Sequence, residues 1–303
     1  MKNYKLSDET KTTAWGKVLH RIVATTTFTL ACGLVVNAGD VGGWIEKASN
    51  LSGNAWVSDN AKVYGNAKVF GGTLVSGDAK VSGNAQVSGN ALVSGNAQVF
   101  GDALVSGSAK VSGNAKVSGD VEVSDNARVS GNAQIYGYAE VYGDAEVYGD
   151  AKVSGYAWVY GNSKVCDYAH VSSYAWVYGN SKVYGRAWVS GDALVCGTTH
   201  VYGYAQVCGY SQVYGNAQVA GDAWVCGDAK VGNMSDYIVF KNDWSSSRYF
   251  TWTKSNDMWV EGRFYGTGDE LIEKAYADSE DNGKRYEACV KLVKTMKNME
   301  KPK

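Results

Sequence analysis

The chain has 303 residues and a formal charge of −1, from 29 basic and 30 acidic side chains. That balance supplies neither the basic excess that nucleic acid calls for nor the acidic excess of a nucleic-acid mimic. The 37 glycines beside a single proline, Pro302, exclude an ordinary globular composition and point to turns recurring at a fixed interval.

Residues 1–43 precede the regular part of the chain. Their apolar stretch, Ile22 to Val36, is shorter than a membrane span, and no run of 18 apolar residues occurs anywhere. Asn37-Ala38-Gly39 faintly resembles a signal-cleavage site. The stretch is rich in Thr, however, and Asp8 and Glu9 lie upstream, where an export signal carries positive charge. The segment reads instead as a cap that lays a covering strand on the regular part.

Between 44 and 232 an aliphatic residue recurs every six positions, from Ile45, Leu51 and Val57 to Val225 and Val231, 32 times without insertion or deletion. From Val57 onward a small residue, usually Ala, stands two places before each one. Gly usually stands two places after, followed by Asn or Asp, so the unit is A-x-V-[S/Y]-G-[N/D]. Alternation of Ala, x and Val is strand periodicity with Ala and Val on one face, and Gly-Asn or Gly-Asp bends the chain. So short a strand buries nothing alone. Stacked coils bury a column of Val, each contributing roughly 1.5–3 kcal/mol, so the stack is stable only collectively.

Residues 233–303 read as an α+β cap. Tyr237 to Phe240, Tyr249 to Thr253 and Met258 to Val260 alternate as strands. Thr267-Gly268-Asp269-Glu270 is a capping box opening a helix whose apolar face is Leu271, Ile272, Ala275 and Tyr276. A second helix is expected after Gly283, with Tyr286, Cys289, Val290 and Val293 inward, and Lys291 to Lys303 as a solvated tail.

An aliphatic residue followed four positions later by a small one, as in Val57 with Ala61 or Val81 with Ala85, resembles the hexapeptide-repeat left-handed β-helix family over 44–232, the greater part of the chain. The resemblance implies a mainly β fold, a left-handed parallel β-helix with three hexapeptides per coil and about ten coils. At ~4.8 Å per coil that is a rod roughly 50 Å long. A narrower resemblance lies in the flanks. Lys5-Leu6-Ser7-Asp8-Glu9-Thr10, Leu19-His20-Arg21-Ile22, Gly42-Gly43-Trp44-Ile45-Glu46, Tyr249-Phe250-Thr251-Trp252-Thr253-Lys254 and Phe264-Tyr265-Gly266-Thr267-Gly268 look like uncharacterised hexapeptide-repeat proteins of phages and prophages. That implies a phage-linked origin and, by analogy alone, a part played against host defences.

Members of the β-helix family include acyltransferases and zinc hydratases, which use a His at a subunit interface as base or metal ligand. Here His170 and His200 fall in the outward slot before an inward Val. Lying 30 residues apart, they belong to different faces of a three-hexapeptide coil and cannot share a metal within one chain. No loop interrupts the repeat to hold an acyl donor. Six cysteines without a CxxC pair or a His at metal spacing read as a reduced, cytosolic set. Cys208 and Cys226, one coil apart, stack at about 5 Å, which permits a disulfide. Two reduced surface thiols are the preferred reading. The G-N-A and G-D-A steps are turns rather than phosphate loops, and no outward Thr ladder suggests ice binding.

Because the repeat has no insertions, position modulo 18 assigns each residue to a face. On the face of Val141, Val159 and Val177 the outward slots hold Tyr142, Trp158, Tyr160, Trp176 and Tyr178, and the corner entering it holds Tyr138, Tyr156 and Tyr174 in place of Asn or Asp. Leu194, Tyr210 and Tyr214 continue it, whereas earlier coils carry Ser88, Ser106 and Ser124. Aromatic ladders stabilise sheets, but contiguous aromatic surface at one end of one side also marks an interface. A smaller cluster, Trp188 and Trp224 around Gln206, lies on another face. Lys62, Lys80, Lys116 and Lys152 form a basic line too sparse for phosphate tracking, so nucleic acid is not expected.

The sequence is therefore read as a non-catalytic binding module, cytoplasmic in a host cell and without cofactor or metal. It is expected to capture a host or phage protein, or further copies of itself, through the eight aromatics of that face. A rod-like virion component and a His-based acyltransferase are the alternatives.

Overall fold

The computed structural model describes residues 2–299. From Trp56 to Val231 the chain alternates short strands with tight corners. Each strand pairs in parallel with its counterparts one coil before and one coil after, as Val81 does with Val63 and Val99. Three flat sheets result. The first face runs from Trp56–Val57 to Gln218–Val219, the second from Lys62–Val63 to Trp224–Val225, and the third from Lys68–Val69 to Lys230–Val231. Ten strands stack on the first and on the third face, giving about ten coils.

Ala and Val of each unit point inward and are fully buried, as at Ala85 and Val87, and they join one core along the whole rod. The corners need a left-handed backbone and close stacking. Gly107 has φ +64°, and a Cβ there would lie 2.7 Å from the backbone nitrogen of Asp125 one coil on. At three corners Asp replaces Gly with positive φ: Asp59, Asp125 and Asp167. Their carboxylates accept the N–H of Gly77, Gly143 and Gly185 in the next coil at 2.9, 3.1 and 3.0 Å, which offsets the strain.

The ends follow from the polarity of the ladder. Backbone N–H groups donate toward the C-terminal neighbour, as Lys62 N does to Ala79 O at 2.9 Å. The last coil therefore exposes donors and the first coil acceptors. At the C-terminal end Thr251 Oγ1 accepts from Trp224 N (2.9 Å), Ser255 Oγ from Lys230 N (2.6 Å) and Asp236 Oδ2 from Gly232 N (2.8 Å). At the N-terminal end the Tyr4 hydroxyl lies 2.8 and 2.9 Å from the carbonyls of Ala48 and Leu51, and burial pushes its pKa up to about 12.

The N-terminal segment does more than add one strand. β1 (Tyr4–Thr12) and β2 (Val18–Ala24) pair antiparallel, and β2 pairs with β5 (Val41–Ile45), which joins the second face and lengthens it to 13 strands. A small hairpin, β3 (Phe28–Thr29) with β4 (Val35–Val36), brings Leu30 and Val36 onto the end of the core.

The C-terminal cap is a four-stranded antiparallel sheet, Tyr237–Lys241, Tyr249–Thr253, Met258–Glu261 and Phe264–Gly266, covered by α1 (Gly268–Asp278) and α2 (Glu280–Met299). It has its own core around Phe250, Trp259 and Leu271. Thr267 caps α1 with Glu270 in a capping box. Three expectations are corrected. The second helix starts at Glu280, with Gly283 inside it, because Gly283 lets the helices meet: a Cβ there would lie 2.2 Å from the Tyr276 ring. Tyr276 is 40% exposed, held outward by its hydroxyl bond to Glu287 at 2.8 Å. Lys291 to Met299 is helical, tied down by buried Val293 and by Lys294–Asp269 and Lys297–Asp257 ion pairs. Residues 300–303 of that expected tail lie outside the described residues.

Cys208 and Cys226 are joined in a disulfide, which corrects the reading of two reduced thiols. They directly follow the paired strands Gln206–Val207 and Trp224–Val225 of the second face, Cα atoms 4.5 Å apart, and their side chains turn toward each other. Cys32, Cys166, Cys196 and Cys289 are free.

Candidate interaction surface

The zero-slip register turns every aromatic column of the third face into a ladder. At its entering corner Tyr138, Tyr156 and Tyr174 stack with ring centroids 4.8 and 5.0 Å apart. Trp158 lies on Trp176 at 4.7 Å, and Tyr142, Tyr160 and Tyr178 form a third column at 4.9 Å per step. Edge contacts tie the columns together, Tyr142 to Trp158 and Tyr160 to Trp176 at 6.5 Å each. All eight predicted residues are thus brought into one patch. The corner tyrosines stay about half exposed, at 51, 45 and 55%, while the inner Tyr142, Tyr160 and Tyr178 are partly covered.

The patch is neutral. Burial raises the Tyr142 and Tyr160 hydroxyl pKa values above the ordinary phenol value. Tyr178 is pushed up to about 12, first by its hydrogen bond with Cys196 and then by burial. Glu140, at the N-terminal edge, has its carboxyl raised by burial and by neighbouring Glu122. Leu194 continues the Trp column, while Tyr210 and Tyr214 stand 71 and 44% exposed nearer the cap.

The second face holds the smaller cluster expected from the sequence. Trp188 and Trp224 flank Gln206 on three successive strands. Around them open two grooves of about 520 and 480 Å³, meeting at Arg186 and Trp188. Arg186 was missed: its guanidinium lies over both Tyr168 and Tyr204, at 5.6 and 5.7 Å from the ring centroids. These three occupy one corner column in successive coils, and the same sorting by position modulo 18 could have found them. Arg248 and Tyr249, from the cap, close the second groove.

His170 and His200 lie on the second and first faces, as the numbering requires. His170 meets Trp188 edge-on at 5.5 Å, and burial, then Lys152, lowers its pKa. His200 packs edge-on to Tyr184 at 5.9 Å. Among the described residues no group of three or more His, Cys, Asp or Glu is placed to hold a metal ion. No described helix is long and apolar enough to cross a membrane.

Residues 85–98, 97–113, 123–137 and 211–227 match the family model described as the YdcK beta solenoid repeat. The chain is a β-solenoid repeat protein. A search of curated proteins returned no match. The matched repeats lie mostly in the plainer, N-terminal part of the solenoid and leave the aromatic coils between 138 and 178 outside.

Proposed function

We propose that the solenoid is a non-catalytic binding module that captures a protein partner across the aromatic patch of its third face. The observation that carries this reading is the half-exposed Tyr138–Tyr156–Tyr174 column beside the Trp158–Trp176 pair. Earlier in the same corner column stand amides and acids: Asn66 donates to Asn84, and Asn84 to Asp102, at 3.2 and 2.9 Å. The fold therefore does not need rings there, and a broad, neutral, rigid aromatic surface is the composition of binding hot spots. The flank resemblance to phage and prophage proteins makes a bacterial host protein, including a defence factor, the partner class we favour.

The test replaces Trp158 and Trp176 with Ser in the full chain. Circular dichroism should be unchanged, because both side chains project from the sheet. Partner capture from host extract, identified by mass spectrometry, should be lost, or self-association lost if the partner is a second copy. Retention of every partner and of the oligomeric state by the double variant would sink the proposal.

A further inference from the structure

The second face carries a regularity that neither the core nor the aromatic patch explains. In its outward slot before each Val, Lys80, Lys116 and Lys152 and then Trp188 and Trp224 recur at every second coil. Between them stand Gln98, Gln134, His170 and Gln206. As far as the Lys coils reach, the slot after each Val alternates in step, Tyr64, Phe100 and Tyr136 with Ser82, Ser118 and Ser154; beyond them it holds Ser172, Ser190, Cys208 and Cys226. On the third face the corresponding slot reads Glu122, Glu140, Trp158, Trp176, with no such alternation.

Relief of repulsion between stacked lysines does not account for it. Where the rod neutralises charge it uses acids: on the first face Glu146 sits between Arg128 and Lys164, 4.0 and 2.9 Å from them. On the second face no acid occupies the slot from Lys62 to Trp224, and Lys62 stacks directly on Lys80. Burial, then the charges of Lys11 and Lys80, lower the Lys62 pKa, and Asp78 offsets part of that. The carboxylates nearby, Asp78, Asp150 and Asp222, occupy the adjoining corner instead.

We propose that the second face binds a linear acidic polysaccharide laid along the rod, with one anionic group per two sugars. Two coils span ~9.6 Å. In an extended β-linked chain alternate pyranoses turn the same side to a flat surface, so a disaccharide presents one like-oriented ring face and, where every second sugar is acidic, one charge per two-coil step. Lys80, Lys116 and Lys152 would meet those charges. The grooves beside Trp188 and Trp224 would stack the C–H faces of the rings, with Gln206 and Asp222 bonding to hydroxyls. A single-stranded nucleic acid suits the face less well: it carries a phosphate on every nucleotide and needs a denser row of cations.

Affinity electrophoresis of the full chain through gels containing hyaluronan, whose repeat is one glucuronate and one neutral sugar, tests this. Hyaluronan should retard the chain, dextran should not, and added salt should weaken the effect. Lys116→Gln with Lys152→Gln should raise the apparent Kd about tenfold, and Trp188→Ser with Trp224→Ser should do likewise. Lys110→Gln with Lys182→Gln, the same charge change on the first face, should leave it unaltered, as should the Trp158 and Trp176 variants, so this proposal and the protein-binding one fail separately. No retardation by hyaluronan, or equal loss from the two lysine pairs, overturns the proposal. Tighter binding of oligothymidylate, abolished by Lys116→Gln with Lys152→Gln, overturns it in favour of single-stranded nucleic acid.

Discussion

The two halves of the rod share a core and differ in their skin. Before Ile135 the corners are strung with amides, and Asn96, Asn114, Asn132 and Asp150 pass one hydrogen bond per coil at 3.0 Å down one edge. Beyond it two of the three corner columns change, to Tyr168, Arg186 and Tyr204 and to the Tyr138–Tyr156–Tyr174 stack, while the third keeps amides, Asn162 donating to Asn180 at 3.3 Å. Inward Val is fully buried in both halves. One fold tolerates either skin, so the core does not dictate which skin a coil carries. In a repeat protein each coil contacts only its neighbours, so surface chemistry can change along the axis without disturbing the packing.

If the halves differ only in skin, the core should fail equally in both. Val105→Asp and Val159→Asp each place a carboxylate at a fully buried site of the third face and should cost about 5 kcal/mol or more. Thermal melts should show the same loss for both. A clearly milder effect in one half would mean that the halves are packed differently. The Cys208–Cys226 bond belongs to the C-terminal half alone. It closes a loop with a sequence separation of 18, for which chain entropy gives about 3 kcal/mol. Replacing both with Ser, the residue found in that slot at Ser172 and Ser190, should lower Tm and abolish the further fall that dithiothreitol causes in the unaltered chain. A melt indifferent to dithiothreitol would count against the bond.

Smaller effects follow from exchanging the skins. Tyr156→Asn removes two stacked contacts, at 4.8 and 5.0 Å, and gains no amide neighbour, for a loss of about 1–3 kcal/mol. Asn114→Ala breaks two exposed hydrogen bonds of 3.0 Å and should cost about 1 kcal/mol. Urea titrations of the two variants would show whether aromatic corners stabilise more than amide ones. The reverse order would remove stability as a reason for the tyrosines.

The repeat is legible because its period is uninterrupted: with three hexapeptides in every coil, Trp158 has to stand over Trp176, and it does. Legibility fades where a contact depends on something other than register. The Cys208–Cys226 pair has the right spacing, yet spacing does not say whether outward thiols turn toward each other. The start of α2 is misread because Gly283, which looks like a helix boundary, serves a close helix crossing instead. The second groove beside Trp188 is undervalued because one of its walls, Arg248, Tyr249 and Gly262, comes from the cap, which no modular count connects to the rod.

The core is not perfectly uniform, and its exceptions sharpen the contrast between the halves. The small inward slot admits a hydroxyl at Ser163, Ser181, Thr199 and Ser211 in the C-terminal half, against Thr73 in the other. Thr73 bonds to Phe70 O at 2.7 Å and Ser163 to Val177 O at 3.3 Å, whereas the buried Ser211 hydroxyl has no partner. Its neighbours one coil away in each direction, Ala193 and Ala229, show that Ala fits. An unbonded buried hydroxyl carries an uncompensated desolvation cost, so Ser211→Ala should stabilise the rod by about 1 kcal/mol. Ser163→Ala, which gives up a bond, should be close to neutral. Denaturant midpoints of the two variants decide the matter. If Ser211→Ala were destabilising, its hydroxyl must be bonded in solution, and the C-terminal half would hold one more polar contact in its core beside that of Ser163.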